Sequence, residues 1–322
     1  VTTALVLGAG GLTGQAYHLG VLTALQELTG FDGRQADVVV GTSAGSLVAA
    51  GLTGGMSAAD QVTSMTGETM SAGGQALLRT HRARSAAPAM PQPPAATTRR
   101  PLAAGAVLAA ARRPWGVRPG AVVSSLVPAG RTSTESISSG VRKLHGDDWP
   151  SPQLRVCALR ARDARRVVFG TPSAPTTDVG TAVAASCAIP GYFVPVRIDG
   201  EAYVDGGGHS PTNADVVRRD APELVVISSP MSFGPGAGRT PDAAVRFAVR
   251  RYLAREVRLL RRSGATVVVF QPTAQDLTAM GLNPMRLLRA NKVVRTAAAS
   301  VRTRLEAQPS LVETLSGRPT GL

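Results

Sequence analysis

Apolar residues in the first fifty positions switch between two periodicities. Residues 4–7 form a continuous apolar run, which predicts a buried strand, and the run ends at Gly8-Ala9-Gly10-Gly11, a tight turn. Tyr17, Leu19, Val21, Leu22, Leu25 and Leu28 then recur at helical spacing until Gly30 stops them. Residues 37–40 predict a second buried strand, ending in Gly41-Thr42-Ser43-Ala44-Gly45, and residues 47–52 begin another helix. Strand, helix, strand, helix at this spacing predicts a right-handed parallel unit with helices covering the sheet.

Patterning is weak over 67–150, which reads as a variable insertion, or lid, over the sheet. Within it, 85–101 are rich in Ala, Pro, Thr and Arg and carry neither period, so a loop or disordered excursion is expected. Short helices are expected at 75–79 and 102–112. Strong patterning then returns. Residues 154–159 and 166–169 predict a hairpin, and 179–185 a helix ending before Ile189-Pro190-Gly191. Residues 201–204 predict a short strand leading into Asp205-Gly206-Gly207-Gly208. Two β-branched strands are expected at 224–228 and 266–270. Between them, 242–262 predict a long helix with Val249, Leu253, Val257 and Leu260 on one side. Arg246 and six further arginines through Arg262 stud its other faces, as a solvated surface would. An amphipathic helix at 291–305 belongs to a C-terminal helical segment, 273–322, of a single domain spanning 1–322.

At 322 residues, 43% of them hydrophobic, the chain can bury a sizeable core. Cys157 and Cys187 are the only cysteines, which gives no disulfide framework and no metal cluster, so a reducing, cytoplasmic compartment is expected. The opening Val-Thr-Thr-Ala-Leu-Val-Leu lacks the basic start of a secretory signal. The longest mild apolar stretch, 102–111, falls far short of the ~20 residues that span a bilayer, so membrane contact is expected from the side, at the inner face. The net charge of +14 is nearly all arginine, and an arginine-rich coding bias accounts for it as well as a selected surface does. Its distribution is more telling: 69–134 hold no acidic residue and nine arginines. That clustering favours an anionic membrane surface as partner; nucleic acid is not expected.

Gly41-Thr42-Ser43-Ala44-Gly45 fits G-x-S-x-G in the strand–turn–helix setting that the motif requires. A nucleophile on so sharp a turn needs small neighbours at Gly41 and Gly45, and the amide of Ala44 then lies near any oxyanion that forms. Gly8-Ala9-Gly10-Gly11-Leu12-Thr13-Gly14 also follows a strand and opens a helix. A dinucleotide site would want an acidic residue ending the second strand, where Gly41-Thr42-Ser43 stands instead, and a P-loop would want Gly-Lys-Ser/Thr. Adjacent parallel strands end at one sheet edge, so the amides of Gly10, Gly11 and Leu12 suit an oxyanion hole beside Ser43. Of the four histidines, His18 lies inside the first helix, His81 and His145 in the unpatterned stretch, and His209 after a glycine run. Asp205 is the stronger candidate base, because three glycines after it leave room for backbone and substrate, and partial desolvation makes a carboxylate more basic.

Taken in order and spacing, Gly8 to Gly14, Gly41 to Gly45 and Asp205-Gly206-Gly207 make the chain resemble the patatin-like phospholipase family. Ala184-Ala185-Ser186-Cys187-Ala188-Ile189-Pro190-Gly191-Tyr192-Phe193-Val194-Pro195 resembles a further segment of that family. The resemblance implies a three-layer α/β/α fold with a mainly parallel sheet, and a Ser43–Asp205 dyad without histidine. It also implies hydrolysis of acyl esters, often of phospholipids, with no metal or other cofactor. One position departs: Thr13 stands where the family commonly has Arg or Lys, removing a charge near the oxyanion or a lipid phosphate. Two rivals remain. An ordinary α/β-hydrolase would work through His209, although Ser43 arrives on strand two rather than after several strands. A catalytically silent lipid- or protein-binding module would keep the fold alone.

Overall fold

A computed structural model describes residues 1–84, 119–147, 149, 151–234, 237 and 240–317. The loop expected at 85–101 and the helix expected at 102–112 lie outside the described residues. Among the described residues eight strands form one sheet: β1 (Thr3–Leu7), β2 (Val38–Thr42), β3 (Leu154–Arg160), β4 (Arg165–Phe169), β5 (Val196–Ile198), β6 (Glu201–Asp205), β7 (Leu224–Ser228) and β8 (Thr266–Phe270). The spatial order is β5-β6-β3-β2-β1-β7-β8, with β4 on β3. The run from β3 through β2, β1 and β7 to β8 is parallel. From β1 the chain builds outward through β2 to β3, then later on the other side through β7 to β8. The C-terminal ends of β1 and β7 are therefore a topological switch point, where open α/β sheets leave a crevice.

Side-chain alternation divides the strands between two cores. Leu5, Leu7, Val39, Leu154, Val156 and Val226 pack on one face. Their sequence neighbours Ala4, Val6, Val38, Val40, Cys157 and Ile227 pack on the other. A sheet buried on both faces needs apolar residues at both parities, which is why these strands read as continuous apolar runs. The first face is covered by α1 (Gly11–Thr29), α2 (Ala44–Thr53) and α7 (Val179–Ser186). The second is covered by α8 (Ala243–Arg262), through Leu253, Val257 and Leu260, and by the 3-10 segment Ala214–Asp220. The result is three layers, α/β/α. Cys157 and Cys187 are both free and buried.

Several helices were not legible in the sequence: α3 (Ala58–Thr66), α5 (Pro119–Leu126), α6 (Glu135–His145), α9 (Ala274–Met280) and α11 (Pro309–Leu315). Gln75 to Arg79 falls within the longer α4 (Ala72–Arg84). Val141 of α6 joins the first core, so this part of the unpatterned stretch is packed structure. The remaining helix, α10 (Ala290–Ala307), lies against α1 through Val293, Ala297 and Val301. No helix among the described residues is long and apolar enough to cross a membrane.

The edge of β3 that faces β2 decides where the site forms. β4 takes one edge of β3 from Val156 to Arg160. The opposite edge is shared: β2 pairs with it, parallel, as far as Thr42 against Cys157, and β6 takes over, antiparallel, from Asp205 against Ala158. Two strands running toward each other thus end at consecutive positions of a third. Ser43 and Asp205 leave those two ends, and they meet because of it.

The α1–α10 contact supplies a test of the C-terminal packing. A Cβ on Gly20 would strike the carbonyl oxygen of Val294 and lie 2.9 Å from Ala297 Cβ. Gly20→Val is expected to push the helices apart and lower unfolding free energy by about 1–3 kcal/mol, read by chemical denaturation.

Candidate active site

Ser43 joins β2 to α2 with φ 52° and ψ −123°, a left-handed conformation that a non-glycine residue adopts at a cost of about 1–3 kcal/mol. The surroundings hold it there. Its N–H donates to Ser186 Oγ at 2.8 Å, and the Ser186 hydroxyl donates to the Cys157 carbonyl at 2.6 Å. Its carbonyl accepts from the Ser46 amide at 2.8 Å and the Ser46 hydroxyl at 2.6 Å. Gly45 must be glycine, because a Cβ there would collide with the Leu7 carbonyl. Through this turn the hydroxyl of Ser43 is set beside the Asp205 carboxyl, where it favours the ionised form.

Asp205 is the last residue of β6. Its Oδ1 accepts from the Gly207 N–H at 2.7 Å, and its own N–H donates to the Ala188 carbonyl at 3.0 Å. Burial pushes its pKa up to about 6, against the opposing influence of the Ser43 hydroxyl and the Gly207 N–H. Burial wins because these two groups replace only part of the water a carboxylate loses. Asn213, buried and itself left-handed at φ 50°, ties the two halves together. Its amide donates to Thr42 Oγ1 at 3.1 Å, beside Ser43, and to the carbonyls of Ser210 at 2.6 Å and Gly206 at 3.4 Å, beyond Asp205.

The first glycine loop is pinned from below. Gly8 N–H donates to the Ser228 carbonyl at 3.0 Å and Ala9 N–H to the Pro211 carbonyl at 2.7 Å. His18, fully buried, bridges the Gly8 carbonyl and the Ser228 hydroxyl, each at 2.7 Å. A carbonyl only accepts, so Nε2 carries the proton and Nδ1 accepts from Ser228. Burial pushes the His18 pKa down to about 4, which keeps this neutral tautomer in place near neutral pH. Farther along, Thr13 N–H donates to the Pro284 carbonyl at 3.0 Å and Gly14 N–H to the Gly10 carbonyl at 2.9 Å. The amides of Gly10, Gly11 and Leu12 have no acceptor among the described residues.

Ser43, Asp205, Gly10, Gly11 and Thr13 line one cavity of about 420 Å³ at the switch point. Gly207 lines it too; Leu12, Ala44, Gly8, Gly14, Gly41, Gly45 and Gly206 are not among its lining residues. Much of the remaining wall is apolar, including Ile189, Met231, Val245, Met280 and Leu282. No histidine is among the lining residues. His209 ends the Gly206–Gly208 turn, His145 bonds the Ala50 carbonyl at 2.7 Å, and the side chain of His81 lies outside the described residues.

Arg246 requires a correction. Rather than sitting on a solvated face of α8, it is buried and lines the cavity. Its Nη1 donates to the carbonyls of Pro230 and Ser232 at 2.9 and 3.1 Å, and its Nε to Asp242 Oδ2 at 2.7 Å. It thereby braces the loop after β7, while the six other helix arginines are exposed as expected. Ser186, Asn213 and His18 were also not singled out by sequence reasoning. Ser186 lay inside a segment noted for its resemblance, which was the only signal it gave.

The sequence pattern of the patatin-like phospholipase family matches residues 5–218, well over half of the chain. The chain belongs to the patatin-like phospholipase family. No curated protein matches it. Among solved structures it is similar to VipD from Legionella pneumophila, at 15% identity and TM-score 0.42, over 95% of this chain and 67% of that one. It is also similar to the type III effector protein ExoU, at 18% identity and TM-score 0.39, over 95% of this chain and 53% of that one. The family match stops before β7, so the part of the cavity built by α8 and the 280–284 loop lies outside it.

The raised pKa of Asp205 has a thermodynamic consequence. The folded state holds this proton more tightly than the ordinary value of 3.8. The group's contribution to stability is therefore complete below about pH 4 and lost as pH rises through about 6. Asp205→Asn is expected to gain stability on the order of 3 kcal/mol at about pH 8 and little at about pH 4, as read from Tm at both pH values.

Proposed function

We propose that this chain hydrolyses acyl esters of lipids through an acyl-enzyme on Ser43, with Asp205 as general base. The observation that carries this reading is the Ser43 hydroxyl beside the buried Asp205 carboxyl, both on the wall of a largely apolar cavity. Asp205 takes the hydroxyl proton as Ser43 Oγ attacks the ester carbonyl carbon, and negative charge collects on the carbonyl oxygen. The unclaimed amides of Gly10, Gly11 and Leu12, with the Ala44 amide at the start of α2, are the groups we assign to that oxyanion. Each such donor typically contributes about 3 kcal/mol to the transition state. Collapse expels the alcohol, which takes the proton from Asp205. Water, deprotonated by the same carboxylate, then releases the acid and regenerates Ser43.

The absence of histidine from the lining residues supports Asp205 as base over His209, and the apolar wall suits an acyl chain. Because Thr13 is neutral and the guanidinium of Arg246 is engaged by Asp242 and two carbonyls, the reading requires no phosphate on the ester.

Hydrolysis of a short-chain p-nitrophenyl ester is expected to fall at least about a thousandfold in Ser43→Ala and in Asp205→Asn. A fluorophosphonate probe is expected to label Ser43. For the wild type, kcat/KM is expected to rise with pH and level off, with its half-point near 6, where Asp205 ionises. Neither turnover nor a Ser43 adduct in folded protein would replace this reading with that of a silent binding module.

A further inference from the structure

We infer that the mouth of the cavity is an interfacial docking surface for an anionic phospholipid bilayer, formed by the N-terminal turns of α8 and the 282–292 segment. The inference rests on the reading of the cavity as a lipid-ester site, and it names the surface through which the lipid arrives.

Two elements frame the opening, because Val245 of α8 and Leu282 line the cavity yet are 56% and 65% exposed. Apolar exposure continues along the second element, where Leu287 and Leu288 follow Leu282 in the chain and are 49% and 99% exposed. Exposed apolar side chains scattered singly need no explanation, but two at the opening of an apolar cavity, with a further exposed pair in the segment that follows one of them, mark a contact surface.

Charge identifies what that surface meets. Between 243 and 305 the only acidic residues are Glu256 and Asp276, and each is 1% exposed. Glu256 is turned inward, accepting from the Thr212 hydroxyl at 2.6 Å and the Ala214 amide at 3.0 Å. Asp276 is consumed by Thr273 and Ser300. Asp242, which caps α8 and lines the cavity, is paired with Arg246, so the remaining exposed charges of the two elements are of one sign, with Arg286 and Lys292 flanking Leu287 and Leu288 in the chain. Apolar residues that can enter the acyl boundary, beside cations that meet anionic headgroups, are the two components of interfacial binding. All of these residues lie beyond the region matched by the family pattern.

The test is sedimentation of the full chain with vesicles of phosphatidylcholine alone and of phosphatidylcholine with phosphatidylserine. Wild type and Ser43→Ala are both expected to bind the phosphatidylserine vesicles, and added salt to weaken that binding. The exposed pair Leu287→Ser with Leu288→Ser, and separately Arg286→Gln with Lys292→Gln, are each expected to lower binding about tenfold. Both pairs should keep the wild-type Tm and the wild-type rate on a water-soluble ester, since neither pair lines the cavity. Binding unchanged in both pairs, or no wild-type binding to anionic vesicles while the chain self-associates or retains a protein partner, would overturn the docking surface. Binding that depends on these residues in a protein without Ser43-dependent turnover would keep the surface and sink the hydrolase reading instead.

Discussion

One edge of β3 carries two strands in succession, and the site depends on that arrangement. β2 arrives parallel and stops at Cys157; β6 arrives antiparallel and stops at Ala158. Strand hydrogen bonding fixes both ends to within the tolerance of a backbone ladder, so the residues leaving them approach without a long flexible linker. A serine and a carboxylate positioned this way would lose little further freedom on engaging a ligand. The same junction sets the two side chains beside each other directly from the strand ends. Asn213, bonded to Thr42 on one side and Gly206 on the other, fastens the two strand ends together from behind.

The arrangement is costly to stability. Ser43 sits in a left-handed conformation, and Asp205 is buried where burial raises its pKa to about 6. Neither would persist in isolation. Around them runs a layer of satisfied polar groups: Ser186 under the Ser43 amide, His18 under the first glycine loop, Arg246 under the loop after β7. Satisfied buried hydrogen bonds of this kind hold a geometry more than they add net stability, because their unfolded partners are hydrated equally well. Strain is thus stored at the turn, and the rigidity that retains it comes from the residues around Ser43 and Asp205.

The cavity is a composite. Its floor is built from the strand ends and glycine turns within the family match, and its outer wall from α8 and the segment after α9. The floor carries the groups suited to acyl transfer. The outer wall is largely apolar, its acid Asp242 is paired with Arg246, and the nearby acids Glu256 and Asp276 are folded inward onto hydroxyl and amide donors. This division separates what would act on an ester bond from what would select the surface on which that bond is found.

By itself the sequence determined the strands and helices whose burial is one- or two-sided, because apolar periodicity is a local property. It also marked the two glycine turns, since only small residues tolerate such close backbone approach, and Asp205, since its glycine run is unusual. Tertiary structure alone decided the rest. Ser43 finds Ser186 across 143 residues, Asn213 reaches Thr42 across 171 and His18 reaches Ser228 across 210. Nothing in a serine, an asparagine or a histidine announces a partner at such separation. Arg246 shows the same limit in reverse: helical spacing put it among solvated arginines, but whether a guanidinium faces water or two backbone carbonyls depends on what packs against that turn. The meeting of β2 and β6 on one edge of β3 is likewise invisible in either strand, because pairing is a property of the sheet and not of the segment.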